Sequence, residues 1–187
     1  MGWLLCLAAL AAPMLSRRPR PAPSSSAVRQ LSPEELRERI DAYLGSIDTP
    51  ITADLWRALG PQAADVLEPI ATDAKAFPSR RARALEGLIA AAPDRASQLV
   101  GPMARDEREP VVLRVTAMHG VAELMPGKAV SELKPVMQAA RSAGLRGAAA
   151  DALSRGKDGC AAVRAQAARE KGDAREAFHR ALTRCGE

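Results

Sequence analysis

Cys160 and Cys185, His119 and His179, and arginines at 81, 114, 146 and 175 are the side chains that most invite a chemical reading. The midpoint of the two cysteines falls at Gly172-Asp173, a pair suited to a turn. If antiparallel helices flank that turn, residues equidistant from it lie side by side. The thiols then meet and form a disulfide, which needs an oxidising compartment. The alternative is two independent buried thiols. The histidines stand 60 positions apart, and no CxxC or HxxxH spacing joins them to the three cysteines, so no metal site is expected. The chain contains no GxSxG, no phosphate loop and no dinucleotide fingerprint. Its Asp and Glu residues form no recurring pair placed for acid–base work. The expectation is therefore a protein that is not an enzyme, with no catalytic residues and no cofactor.

The elements that position these residues follow from an internal repeat. Ala82 to Pro93 reads ARALEGLIAAAP, and 33 positions later Val115 to Pro126 reads VTAMHGVAELMP. Ala84 falls on Ala117, Gly87 on Gly120 and Pro93 on Pro126. Downstream, Ala96 meets Ala129 and Pro102 meets Pro135. Self-similarity at this period marks units that bury their apolar sides against neighbours. No stretch alternates with a period of two and β-branched enrichment, so an all-α fold is predicted. First helices are expected over 61–75, 94–107, 127–140 and 159–171. Second helices are expected over 79–92, 111–125, 145–154 and 173–185.

Within the second helices, Arg81, Arg114, Arg146 and Arg175 share one register. Gly87, Gly120, Ala152 and Ala181 share another, where small residues let the two helices of a hairpin approach closely. Pro69, Pro102 and Pro135 recur inside the first helices, where a proline costs about 3 kcal/mol relative to alanine. Their repetition implies that a bend there belongs to the design.

Residues 66–88 and 100–124 resemble HEAT repeats, which place a proline in the first helix, an aspartate near the turn and Arg-x-x-Ala at the start of the second helix. Pro69, Asp73, Arg81 and Ala84 match in one unit, and Pro102, Asp106, Arg114 and Ala117 in the next. The third unit keeps Pro135 and Arg146 but carries Ala139 where the aspartate would fall. The resemblance covers about 60–185 and implies a right-handed α-α superhelix of about four helical hairpins. It also implies that the arginine ladder is structural, hydrogen-bonding within and between repeats, rather than a phosphate-binding stripe.

Ahead of the repeats, residues 33–59 read as capping helices. Ser32-Pro33-Glu34-Glu35 supplies an N-cap, a proline at the first helical position and acids in the first turn. Residues 16–32 are rich in Pro, Ser and Arg and read as a flexible linker. Residues 1–15 form an apolar run of the length of a signal-peptide core or an anchor, shorter than a membrane span. Export or envelope association is the expectation, with a cytoplasmic location as the alternative.

The net charge of +5 invites a nucleic-acid reading, but three of those charges lie at Arg17, Arg18 and Arg20. Without residues 1–27 the balance falls to +2. Aromatic residues make up 3% of the chain and leave few platforms for stacking bases. The outward register of the second helices carries Arg83, Glu86, Thr116, His119, Glu123, Asp151, Arg155 and Arg180. Such mixed charges suit a protein partner better than a phosphate backbone. The function expected is a non-catalytic scaffold, monomeric, that binds another protein through its concave helical surface. Binding to a DNA or RNA backbone, or base repair, as in HEAT-like DNA glycosylases, is one alternative, and HEAT-type assembly factors that act in bilin attachment supply another.

Overall fold

Ser32 caps the first described helix, and its capping box is local chemistry made visible. Its hydroxyl accepts from the Glu35 amide at 3.2 Å, while the Glu35 carboxylate accepts from the Ser32 amide at 2.8 Å. A computed structural model describes residues 31–47 and 49–186. Residues 1–15 and most of the 16–32 segment lie outside the described residues, as does Cys6. The described part belongs to a unit that starts at Leu31.

Ten α-helices occur among the described residues, with no strand. They are α1 (Pro33–Gly45), α2 (Ala53–Arg57), α3 (Ala64–Thr72), α4 (Pro78–Ala91), α5 (Pro93–Arg105), α6 (Val111–Leu124), α7 (Ala129–Ala139), α8 (Ala143–Leu153), α9 (Lys157–Ala167) and α10 (Ala174–Arg184). Short 3-10 turns at Pro61–Ala63 and Pro126–Lys128 lead into α3 and α7. The boundaries fall within a few residues of the expected ones; Pro33, Pro78 and Pro93 open α1, α4 and α5, and Ser32, Thr52 and Ser142 cap α1, α2 and α8.

Helices α3 to α10 pair in sequence as α3–α4, α5–α6, α7–α8 and α9–α10. The even-numbered members also pack on one another in order, from α2 through α4, α6 and α8 to α10. This pattern is compatible with a helical repeat. The core is aliphatic, with Leu67, Leu85, Leu88, Leu113, Met118, Leu133 and Met137 fully enclosed. Two aromatic residues join it at opposite ends: Trp56, which Tyr43 meets edge to face at 5.2 Å, and Phe178 on α10.

The small-residue register does more than close hairpins. A Cβ on Gly87 would lie 2.8 Å from the Trp56 ring, and one on Gly120 would lie 2.7 Å from both Ile89 and Val100. Trp56 and Ile89 belong to the preceding even-numbered helices. The missing side chains therefore admit the neighbouring unit as well as the hairpin partner, which corrects the expectation of a purely intra-hairpin seam. Pro69, Pro102 and Pro135 do lie inside α3, α5 and α7, each on an exposed position.

Three of the four ladder arginines have one job in common. Arg81 Nε donates to Ala71 O at 3.0 Å, Arg114 Nε to Ala104 O at 3.2 Å, and Arg146 Nη1 to Ala140 O at 3.0 Å. Each guanidinium thus satisfies a carbonyl left open at the C-terminal end of the first helix of its own hairpin, where the helix dipole favours a cation. Arg81 reaches on to Glu109 at 2.8 Å, and Arg146 to Glu170 at 3.0 Å. Burial alone would raise the Glu170 carboxyl, but hydrogen bonds from Arg146 and Gln166 hold it below the usual range. Arg175 departs from the ladder. It is exposed on α10, where it is the second residue of the helix, whereas Arg81, Arg114 and Arg146 are the fourth residues of theirs. The turn aspartates serve locally: Asp73 accepts from the Lys75 amide and Asp106 from the Arg108 amide, both at 2.9 Å. The α7–α8 connection is shorter, and Ser142 caps α8 instead, which accounts for Ala139 in that unit.

Cys160 near the start of α9 and Cys185 at the end of α10 form a disulfide, with Cα atoms 5.8 Å apart. It closes the open end of the last hairpin, as the symmetric placement about Gly172-Asp173 predicts.

Candidate functional site

A groove of about 380 Å³ runs between α2, α4 and α6. Helix α4 contributes Glu86, Ile89 and Ala90 at spacings of three and four, which place them on one face. Helix α6 contributes Val115, Thr116, His119, Gly120 and Glu123 in the same way. Ile51, Ala53 and Trp56 close the end. Gly87 and Gly120 set the walls, since a side chain on either would push Trp56 or Ile89 out of place.

A second hollow, of about 320 Å³, lies between α6, α8 and α10. His119 borders it together with Ala143, Gly147, Asp151, Ala177 and Arg180. Close approach of α8 and α10 depends on Gly147, whose Cβ would lie 2.6 Å from that of Ala177. His119 is therefore the side chain shared by both hollows.

The electrostatics of the two differ. Asp151 is gripped by Arg184 and, at 3.5 Å, by Arg155. Burial would raise the Asp151 carboxyl, but the Arg184 hydrogen bond and charge, followed by Arg155 and His119, hold it below its ordinary value. His119 Nε2 stands 3.9 Å from Asp151 Oδ2, beyond hydrogen-bond reach. Burial lowers the His119 pKa, Arg155 lowers it further, and Asp151 only partly offsets them. In the first groove Glu86 keeps solvent contact, yet burial against the surrounding walls pushes its carboxyl up, with the Arg83 charge opposing.

Of the eight surface residues singled out from the sequence, Glu86, Thr116, His119 and Glu123 line the first groove. Asp151 and Arg180 line the second hollow with His119. Arg83 and Arg155 line neither. Arg83 donates to Leu44 O at 3.0 Å and also to Ser46 O, and so ties the C-terminal end of α1 to α4. Arg155 is occupied with Asp151 one turn before it. The apolar floor was not singled out as a site, although Ile89 and Ala90 follow Glu86 at helical spacing and signal a shared face. Arg184, which holds Asp151 from 33 positions away, carries no local signal.

Among the described residues, no group of three His, Cys, Asp or Glu side chains is placed to hold a metal ion. No helix among them is long and apolar enough to cross a membrane. No family model, no curated protein and no solved structure matches this chain.

Proposed function

We propose that this chain is a HEAT-type repeat scaffold, a right-handed α-α superhelix of about four hairpins that binds a protein partner and does no chemistry itself. The partner seats on the row of even-numbered helices, and the chain works in an exported or envelope setting. The observation that carries the reading is the groove between α2, α4 and α6, where four outward residues of two successive repeats converge over an apolar floor. Sequential packing of the helix pairs supports the repeat architecture, and the disulfide supports an oxidising compartment.

The test fills the groove. The full chain and its Ala90→Trp variant are used to capture proteins from the native source, with circular dichroism melting as the folding control. The reading expects one protein captured by the wild type and lost from an equally stable variant. Equal capture by both overturns it. So does tight binding to duplex DNA that weakens steeply with salt, the mark of phosphate contacts.

A further inference from the structure

The groove between α2, α4 and α6 is acidic on a chain whose net charge is +5. Its lining holds two carboxylates, Glu86 and Glu123, and no lysine or arginine. Neither carboxylate has an ion-pair partner, whereas Asp54, Asp65, Asp106 and Asp151 elsewhere each have one. Arg83 lies one turn before Glu86, but its hydrogen bonds run to the α1 carbonyls. His119 is held toward its neutral form by burial and by Arg155. Beneath this rim the walls are apolar, built from Ile51, Trp56, Ile89, Ala90 and Val115. A volume of about 380 Å³ accommodates a few side chains, at the lower end of the range for specific ligand pockets.

We infer that the groove takes a basic amphipathic segment of a partner protein, with apolar side chains on the Trp56–Ile89–Val115 floor and lysine or arginine against Glu86 and Glu123. This rests on the groove being the partner site, and it names the chemistry of what enters. An acidic segment would bring like charges together over a low-dielectric floor, which costs far more than it gains. A purely apolar segment would leave the two carboxylates partly desolvated without a counter-charge.

Three short fluorescent peptides and the full chain test it by polarisation. One peptide carries leucine and lysine at helical spacing, one carries leucine and glutamate, and one carries serine and lysine. The leucine–lysine peptide is expected to bind at least about tenfold more tightly than either other peptide. The double variant Glu86→Gln/Glu123→Gln is expected to bind it about tenfold more weakly, two rim pairs being worth up to about fivefold each. That variant should also lose most of the salt dependence between about 0.05 and 0.5 M. Equal binding of the leucine–glutamate peptide, equal binding of the serine–lysine peptide, or an unchanged double variant overturns the inference. Ala90→Trp separates this failure from that of the parent reading. Peptides that bind without regard to charge but are blocked by Ala90→Trp sink only the charge assignment, whereas native capture indifferent to Ala90→Trp sinks the site.

Discussion

Replacing Arg81 by alanine removes the most enclosed member of the arginine ladder. The residue is 3% exposed, and its partners are the Ala71 carbonyl at 3.0 Å and the Glu109 carboxylate at 2.8 Å. Alanine leaves that carbonyl without its donor and the carboxylate without its counter-charge. Breaking a buried ion pair costs about 3–5 kcal/mol, and the 21% exposure of Glu109 places this case near the lower end, about 3 kcal/mol. For a unit of this size each kcal/mol moves the melting temperature by about 2–4 °C, so a fall of about 6–12 °C is expected. Arg114→Ala loses one charged hydrogen bond and should fall between Arg81→Ala and the exposed Arg175→Ala. Arg175→Ala should stay within about 2 °C of the wild type. Thermal melting followed by far-ultraviolet circular dichroism reads the series. The paired change Arg81→Met with Glu109→Leu should recover most of the loss, because no charge is then stranded. A melting temperature for Arg81→Ala within about 2 °C of that for Arg175→Ala would refute the capping role.

Reduction of the Cys160–Cys185 bond, or Cys160→Ser with Cys185→Ser, should cost about 3.5 kcal/mol on the loop-entropy model for a separation of 25 residues. Faster hydrogen exchange should be concentrated in α9 and α10, and an unchanged denaturation midpoint would count against the clip. Gly120→Ala should destabilise by about 1–3 kcal/mol by displacing Ile89 and Val100, whereas Gly127→Ala, with open space around it, should be near neutral in the same urea titration. The folded-state pKa of His119 lies below its ordinary 6.5, so the unfolded chain binds more protons in the window beneath 6.5. Stability should therefore drop as pH falls through that window, and His119→Gln should flatten the slope. Glu86 has the opposite sense: its carboxyl is raised above 4.5, so its favourable contribution fades as pH rises, and Glu86→Gln should gain stability at neutral pH.

The helices were legible because their punctuation is local. Ser32 with Glu35, Pro33, Pro78 and Pro93 announce starts through hydrogen bonds and fixed φ within one turn. The last hairpin was legible in its pairing, through the symmetry of Cys160 and Cys185, but not in its register. Arg175 is the second residue of α10, whereas Arg81, Arg114 and Arg146 are the fourth residues of their helices, so it leaves the ladder. At the groove, helical spacing was enough to gather Glu86, Thr116, His119 and Glu123. The Trp56 end of the floor was not visible, because its ring reaches the groove through the missing Cβ of Gly87, 31 positions away. Arg83 was read as surface for the same reason: its acceptors at Leu44 and Ser46 are 37 to 39 positions distant.

The way the helices choose their partners has a temporal side. No helix makes its main contacts with one more than three helices along the chain; α1 with α4 is the longest such reach. Short closures cost little entropy and are made quickly. Each later hairpin leaving the ribosome can therefore dock on the one delivered before it, and assembly can keep pace with synthesis once α3 and α4 have emerged.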